Sequence, residues 1–487
     1  MSVKLRSESS LSCRCFYMIL ILVLSILVVL FLSTSTSFLY SYREQLDSVV
    51  FQIIGREWLN GNIPYRDLWD LKGPLIFFVN ALGFLLTGSR YGIVLIQTLF
   101  LFISFLIVFR YYREKVSSLK SFIGIIIICC FLSVVYEGGN MVEEYLLPLL
   151  IFSFIKMNNW LNNVKEKNYD HKWQFALVYG ITFGFSFLTR ITNALPLCFG
   201  VLYIYVFSIC KNEWKSFLWN LGAFLVGFIL IVLPFLVYFL ITDTINDYFA
   251  TLDFGFRYLV QSTQTIDIKK FLIFNFPVLF LLLVITVETF FYRNYYKLLF
   301  WLLVVVVSLC WIIKSRGYSH YSIIFLPYMV ISLYEMASLN NICRRLAVIF
   351  VLLFVVRGLK HDLSYYYRLD EVKASNYIMN KMINVIPAND RNDLYIYGEV
   401  IVSPYLYYGI CPNKYFYLQE ENACISPSYK EKMLKDLSKV SPKFVFTISK
   451  DNQLKEILDS CYSVYYSEHN VMIYQKRNNE KLKSNYI

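Results

Sequence analysis

Apolar runs of membrane-spanning length recur along this chain, and an ordinary soluble fold does not accommodate them. A helix crosses hydrocarbon in about 20 residues, and runs such as 16–39, 90–109 and 218–240 reach that length. The apolar share of 57% and the aromatic share of 18% over 487 residues agree with this. The chain therefore reads as an α-helical multi-pass membrane protein. Spans are expected at 16–39, 90–109, 121–135, 145–155, 174–189, 195–210, 218–240, 271–291, 298–313, 321–338 and 346–357, about eleven in all. The first follows Lys4, Arg6 and Arg14 as a signal peptide would, but its length and the lack of an A-x-A site favour a retained helix. Segment 74–87, fourteen residues between Pro74 and Gly88, is short for a span and reads as an interfacial or re-entrant helix.

The formal charge of +12 does not imply nucleic acid, because the bases are spread over short loops between apolar runs. Arg110, Arg113, Lys115, Lys120, Lys156, Lys165, Lys211, Lys215, Arg293, Lys297, Arg344 and Arg345 fall on one set of loops, with the basic N-terminus. The positive-inside rule makes that set cytoplasmic and turns the acid-rich loops outward, along with everything after Arg357. Counting 74–87 as a span would spoil the bias. The eleven cysteines form no CxxC pair. Cys411, Cys424 and Cys461 lie in the polar C-terminal region, where one disulfide is admissible if that region is outside the cytoplasm.

Three outward clusters carry polar chemistry beside the membrane, where ionisable groups are costly. In the first, residues 42–74, Val49, Val50, Ile53, Ile54 and Trp58 mark one face of an amphipathic helix that begins near Asp47 and ends at Asn60-Gly61. Asp47 is either an ordinary helix-start aspartate or a general base kept ionised by the helix terminus. Tyr65, Arg66, Asp67, Trp69, Asp70 and Lys72 follow. Asp67 and Asp70 can chelate a divalent cation or bind hydroxyls, although D-x-x-D is commonly a turn. Lys72 is either a snorkelling lysine or a point charge for phosphate. In the second cluster, Glu137, Glu143 and Glu144 precede Tyr145 with no base in the loop; they cap the next helix or hydrogen-bond a ligand. The third, with Lys314, Arg316, Tyr318, His320 and Tyr321, places positive charge on the side that should be poor in it, which suits an anionic phosphate. Arg190 at the outer end of its helix fits the same pocket. Tyr248, Asp253 and Arg257 lie in the outer loop 241–270, which reads as a lid or acceptor surface.

The arrangement resembles the GT-C glycosyltransferases, in particular the branch with protein O-mannosyltransferases and the lipid A aminoarabinose transferase. The residues that carry the likeness begin with D-x-x-x-F-x-x-x-G-x-x-W-L-x-G-x-x-P-Y from Asp47 and D-x-K-x-P from Asp70 to Pro74. They continue with G-G-x-x-x-E-x-Y-x-x-P from Gly138 to Pro148 and H-Y-x-x-x-x-x-P from His320 to Pro327. The resemblance implies inverting transfer of a sugar from a polyprenyl-phosphate donor to a hydroxyl of a glycan, lipid or protein acceptor at the outer face of the cytoplasmic membrane. Asp47 would be the base. Lys72, Lys314, Arg316 and His320 would hold the donor phosphate. Tyr65, Asp67, Asp70, Glu143, Glu144, Tyr145 and Arg190 would meet sugar or acceptor. Ser48 stands where many members carry a second acid, which argues against metal at that position. No cofactor is required on this reading, although a divalent cation remains admissible.

The expected organisation is a transmembrane catalytic domain over 1–359, with outward loops 40–89, 136–144, 241–270 and 314–320, followed by a small extracytoplasmic α/β domain over 360–487. Within the latter, 394–398, 415–418, 443–448 and two runs near the end read as strands, and 371–384, 428–439 and 451–459 as helices. The rival readings are a transporter or flippase of lipid-linked saccharides, and a polymerase or ligase of them. A transporter should keep its ionisable groups near the midplane.

Overall fold

The computed structural model describes residues 11–40, 46–261, 268–314, 318–349, 351–353, 356, 381–397, 402–414, 416, 427–447, 451–468 and 471–477. The chain separates into two compact units. One comprises Met1–Ser41, Lys72–Tyr238 and Ser262–Tyr367, and the other Tyr42–Leu71, Phe239–Gln261 and Arg368–Ile487.

The first unit is a helical bundle of membrane-protein type. It contains α1 (Leu11–Leu32), α3 (Pro74–Thr87), α4 (Tyr91–Tyr112), α5 (Ser118–Val135), α6 (Val142–Lys165), α7 (Trp173–Phe187), α8 (Leu195–Cys210) and most of α9 (Trp214–Ile241). After these come α11 (Ile268–Phe274), α12 (Phe276–Tyr292), α13 (Tyr295–Lys314) and α14 (Leu326–Met336). Six helices among the described residues are long and apolar enough to cross a membrane, and 74–87 and 276–292 form shorter apolar ones. Apolar side chains of α9 such as Trp219, Val226, Leu230 and Leu233 are exposed, as a lipid-facing surface requires.

Several span boundaries move from where hydropathy puts them. Expected 145–155 becomes the much longer α6, whose polar second half still buries Met157, Trp160, Leu161 and Val164. Expected 321–338 is a 3-10 turn over Ser319–Phe325 followed by α14 of only 11 residues. Pro327 lies at the first turn of α14, where a ring that lacks an N–H is tolerated. Expected 271–291 is likewise divided at Asn275, ahead of Pro277. Segment 74–87 keeps its expected limits: Pro74 opens α3, and Gly88 at φ 69 closes it by donating its N–H to Phe84 O.

The two ends of the bundle differ in chemistry. At the end holding the start of α13 and the finish of α14, Lys297 is wholly buried between Glu288 Oε1 at 2.9 Å and Glu335 Oε1 at 2.7 Å. Lys115 reaches Glu335 Oε2 at 2.7 Å, and Asn158 donates to Glu335 Oε1 at 2.6 Å. Two of the bases counted toward the charge bias are thus matched by glutamates from inside apolar runs. Nearby His171 is buried between Asn220 and Tyr179, and burial pushes its imidazole down to about 4. At the opposite end, hydroxyls follow α1: Ser33 and Thr36 bond Gln97, and Ser35 bonds the carbonyls of Gly138 and Gly139.

The second unit is α/β. Its sheet has the order β1-β2-β4-β3, with β1 (Leu394–Tyr397) parallel to β2 (Phe444–Thr447) and the other pairs antiparallel. Strands β1 and β2 are buried throughout, whereas β3 (Tyr462–Glu468) is largely exposed and pairs with β4 (Val471–Lys476). Helices Pro427–Val440 and Asn452–Cys461 supply Leu437, Leu454 and Leu458 to a core that also takes in Trp69 and Phe254. Of the expected strands, 394–398 and 443–448 correspond to β1 and β2, while 415, 417 and 418 lie outside the described residues, as does 371–380. Cys411 and Cys461 are free thiols, and Cys424 is not among the described residues.

Helix α2 (Leu46–Leu59) belongs to this second unit, with Val49, Val50, Ile53 and Ile54 buried and Gly61 at φ 96 beyond its end. Arg56 donates to the carbonyls of Tyr405 and Ile410 at 3.1 and 2.9 Å, closing the C-terminal end of helix Ser403–Tyr407. Trp69 donates its backbone N–H to Lys414 O at 2.8 Å and its indole N–H to Thr251 Oγ1 at 3.1 Å. Tyr42–Leu71, expected within an outward loop of the transmembrane domain, thus groups with the α/β unit.

Candidate active site

In the second unit, Asp47 lies in the first turn of α2, partly buried. Tyr65 is 1% exposed and sits at φ 70, a conformation an aromatic residue adopts only when its surroundings enforce it. The enforcement is visible. Its N–H donates to Leu68 O at 2.6 Å, and its ring packs on Phe239 and Tyr248. Burial, then Tyr248, then the buried Asp70 push the Tyr65 phenol well above its ordinary value, so it stays a neutral donor. Asp67 is committed to the turn: it accepts from Ile63 N at 2.7 Å and pairs with Arg66. Burial raises its carboxyl somewhat, but the bonds from Arg66 and Ile63 outweigh this and hold it below the usual range.

In the first unit, the second and third sequence clusters are two halves of one assembly. Residues 137–140 all have positive φ, from 48 at Glu137 to 84 at Gly138, and form a tight turn between α5 and α6. A side chain at Gly139 would meet Ser33 Oγ at 2.2 Å, so glycine is required there. The turn presents Glu137 to the 3-10 segment before α14. Its Oε2 accepts from Ser319 Oγ at 2.7 Å, His320 N at 3.0 Å and His320 Nδ1 at 2.7 Å. Burial would raise this carboxyl, yet the His320 and Ser319 hydrogen bonds hold it below its ordinary value. Glu137, which lacked a base within its own loop, finds one across the fold.

Glu144 closes the start of α6, accepting from Met141 N at 2.8 Å and from Gln97 Nε2 at 2.9 Å. Tyr145 donates to Asn140 Oδ1 at 2.6 Å, and Asn140 bonds Asn80 of α3 at 2.9 Å. Glu143 instead points at the α7–α8 connection. Its Oε1 accepts from Asn193 Nδ2 at 3.0 Å and lies 3.6 Å from Arg190 Nη1. The Arg190 guanidinium stacks 3.5 Å over Tyr321 and 5.0 Å from the Trp311 ring. The segment carrying Lys72 is bonded to the same connection: Gly73 N donates to Thr189 O at 2.8 Å, and Leu75 N to Leu188 O at 3.0 Å. A Cβ at Gly73 would fall 2.2 Å from Leu188 O, which is why the approach needs glycine.

Lys72, Glu143, Arg190 and His320 are thus carried by neighbouring segments at one end of the bundle. Lys314 ends α13, and Arg316 lies outside the described residues. Sequence reasoning gave Thr192 and Asn193 no role beyond following Arg190 and passed over Trp311, because polar residues in a helix connection and a tryptophan in an apolar run carry little signal one at a time. Among the described residues, no three His, Cys, Asp or Glu side chains come together in a way that would hold a metal ion.

The fold has solved relatives. It is similar to ArnT from Cupriavidus metallidurans bound to undecaprenyl phosphate, with a TM-score of 0.56 and 11% identity over 95% of this chain and 98% of that one. The apo state of the same protein gives a TM-score of 0.56 at 10% identity, over 95% of this chain and 98% of that one. The oligosaccharyltransferase AglB from Archaeoglobus fulgidus, in complex with an inhibitory peptide and a dolichol-phosphate, gives 0.49 at 12% identity, over 96% of this chain and 75% of that one. The fold is the GT-C one, a helical membrane bundle with a small C-terminal sheet. No curated protein matches the chain. Over residues 6–344 it matches the family described as Putative competence-induced protein Ccs4 N-terminal domain, and it is a member of that family.

Proposed function

We propose that this protein transfers a sugar from a polyprenyl-phosphate donor to an acceptor hydroxyl at the outer face of the cytoplasmic membrane. The observation that carries the reading is the GT-C fold combined with ionisable groups at helix ends. Glu137, Glu143, Arg190 and His320 all lie in connections or first turns. A transporter of the same lipid would concentrate such groups at mid-membrane, often where helices break.

In this mechanism Asp47 takes the proton of the acceptor hydroxyl as its oxygen attacks the anomeric carbon. The new glycosidic C–O bond forms while the bond to the donor phosphate breaks, and its electron pair leaves on the phosphate. Inversion at carbon follows from a single displacement. Lys72, with Arg316, His320 and Lys314, stabilises the negative charge gathering on the leaving phosphate. Tyr65 and Asp70 orient the acceptor beside Asp47, with Asp67 bracing their turn. Glu143 and Arg190 face the sugar, while Glu144 and Tyr145 hold the frame from which Glu143 projects. The turn at 137–140 keeps His320 in register. The α/β unit and α10 (Ile245–Gln261) lie outside the membrane on this reading.

The test is mass spectrometry of surface glycans and lipids from cells with the protein, without it, and with Asp47→Asn. Loss of a general base typically costs about 10²–10⁴-fold in rate, so the variant should reproduce the profile of cells without the protein while still inserting in the membrane. Lys72→Ala and Arg316→Ala should weaken donor use by on the order of 10²-fold. Wild-type modification in the Asp47→Asn cells would remove Asp47 from the mechanism.

A further inference from the structure

Five buried polar atoms without hydrogen-bond partners lie on side chains clustered around Arg190: Glu143 Oε2, Arg190 Nη1, Thr192 Oγ1, Asn193 Oδ1 and Trp311 Nε1. Glu143 and Asn193 are each 1% exposed or less, and Trp311 is 5% exposed. Buried polar groups are nearly always satisfied, so each such atom in a native structure calls for an explanation. One on a guanidinium and four on the side chains that accompany it describe a place shaped for something else. The cluster is also braced. Glu143 has its other oxygen on Asn193, and Arg190 Cζ sits 3.5 Å over the Tyr321 ring, which restrains both side chains.

The chemistry of the five atoms restricts what fits. Glu143 Oε2 and Asn193 Oδ1 only accept, Arg190 Nη1 and Trp311 Nε1 only donate, and Thr192 Oγ1 does either. The Arg190 and Glu143 charges cancel. A phosphate would place its oxygens against two acceptors, one of them a carboxylate. A cation would meet the guanidinium. Adjacent hydroxyls of an uncharged sugar ring, each both donor and acceptor, complement all five atoms. The segment bearing Lys72 is hydrogen-bonded to this connection through Gly73 and Thr189. A sugar here would therefore lie next to the segment assigned to its phosphate.

We infer that Glu143, Arg190, Thr192, Asn193 and Trp311 form the subsite that reads the hydroxyls of the transferred sugar, and that this sugar is uncharged. The inference rests on the donor reading proposed above and adds to it the residues and the charge class of the sugar. Thr192 and Asn193 are its specificity-determining residues.

The experiment uses the full-length protein in nanodiscs and saturation-transfer NMR with four uncharged probes: methyl α-glucoside, methyl α-mannoside, methyl β-galactoside and N-acetylglucosamine. Inorganic phosphate, glucosamine and glucuronate serve as charged competitors, and undecaprenyl phosphate binding is followed in parallel by native mass spectrometry. At least one neutral probe should bind, and about tenfold more weakly or worse in Asn193→Leu and Glu143→Gln. The near-isosteric Thr192→Val covers the case in which either of those fails to fold, and should show the same direction. Undecaprenyl phosphate binding should persist in all three variants. Neutral probes that bind equally well to the folded variants, that fail to bind at all, or that are displaced by phosphate or by a charged sugar would overturn the subsite. If undecaprenyl phosphate also fails to bind the wild-type protein, the donor reading falls with it; if it binds, only the subsite falls.

Discussion

Replacing Glu137 with glutamine should destabilise the protein modestly at neutral pH and remove part of its acid sensitivity. One carboxylate oxygen collects three donors, from Ser319 Oγ, His320 N and His320 Nδ1, at 2.7 to 3.0 Å. Hydrogen bonds to a charged group contribute about 1.5–3 kcal/mol each and neutral ones about 0.5–1.5. Neutralising the acceptor while keeping its shape therefore costs about 1–1.5 kcal/mol per bond, or about 3–4.5 kcal/mol over three bonds before solvent screening. The Glu137 side chain retains 22% exposure, and solvent screens part of this, so about 2–3 kcal/mol is the expected loss. Leucine at this position should cost more, because it leaves the buried donors of His320 unmatched. The pH dependence has a definite sign. The Glu137 carboxyl is held below its ordinary value in the folded protein, so its contribution is complete above an unfolded value of about 4.3. It is lost as pH falls from there through the folded value. Thermal unfolding in nanodiscs, followed by tryptophan emission between neutral and acid pH, reads both effects. The gap between wild type and Glu137→Gln should close as pH drops through that window. Equal unfolding temperatures at neutral pH, or a gap that persists unchanged in acid, would refute the reasoning.

Three further outcomes follow from the packing. Lys297→Met leaves Glu288 and Glu335 facing a methyl group inside the bundle, and removing one partner of a buried pair costs about 3–5 kcal/mol; the yield of folded protein in detergent should fall sharply, and a wild-type yield would contradict the network. Gly73→Ala places a methyl carbon 2.2 Å from Leu188 O, so it should displace the Lys72 segment from the α7–α8 connection and weaken undecaprenyl phosphate binding more than Gly222→Ala, where a Cβ meets nothing within 4 Å. A reporter fused after Arg357 should be active only outside the cytoplasm, and cytoplasmic activity would reverse every loop assignment.

The membrane class and the helical architecture were legible in the residues, because hydropathy over about 20 residues depends on local composition alone. So were α2, with its buried face at Val49, Val50, Ile53 and Ile54, and the limits of α3, marked by Pro74 and Gly88. The polar motifs around Asp47, Asp70, Gly138 and His320 were visible for the same reason, since each is contiguous in the chain. Hydropathy was a poorer guide to where spans begin and end. It could not register that the polar half of α6 is covered by neighbours, or that the run at 319–336 is broken into two kinds of helix by Pro327.

What only the tertiary structure decided is which charged and polar groups meet. Glu137 pairs with His320 across 183 residues, and Glu143 with Asn193 across 50. Lys297 is neutralised by Glu288 and Glu335, which lie inside stretches that look purely apolar. The loop 42–71 joins the C-terminal α/β unit through Arg56 and Trp69, a membership nothing in its own residues announces. The physical reason is common to all of these. A helix is written by neighbours three and four residues apart, whereas a buried charge is satisfied by whichever group the folded backbone brings within about 3 Å, however distant it is along the chain.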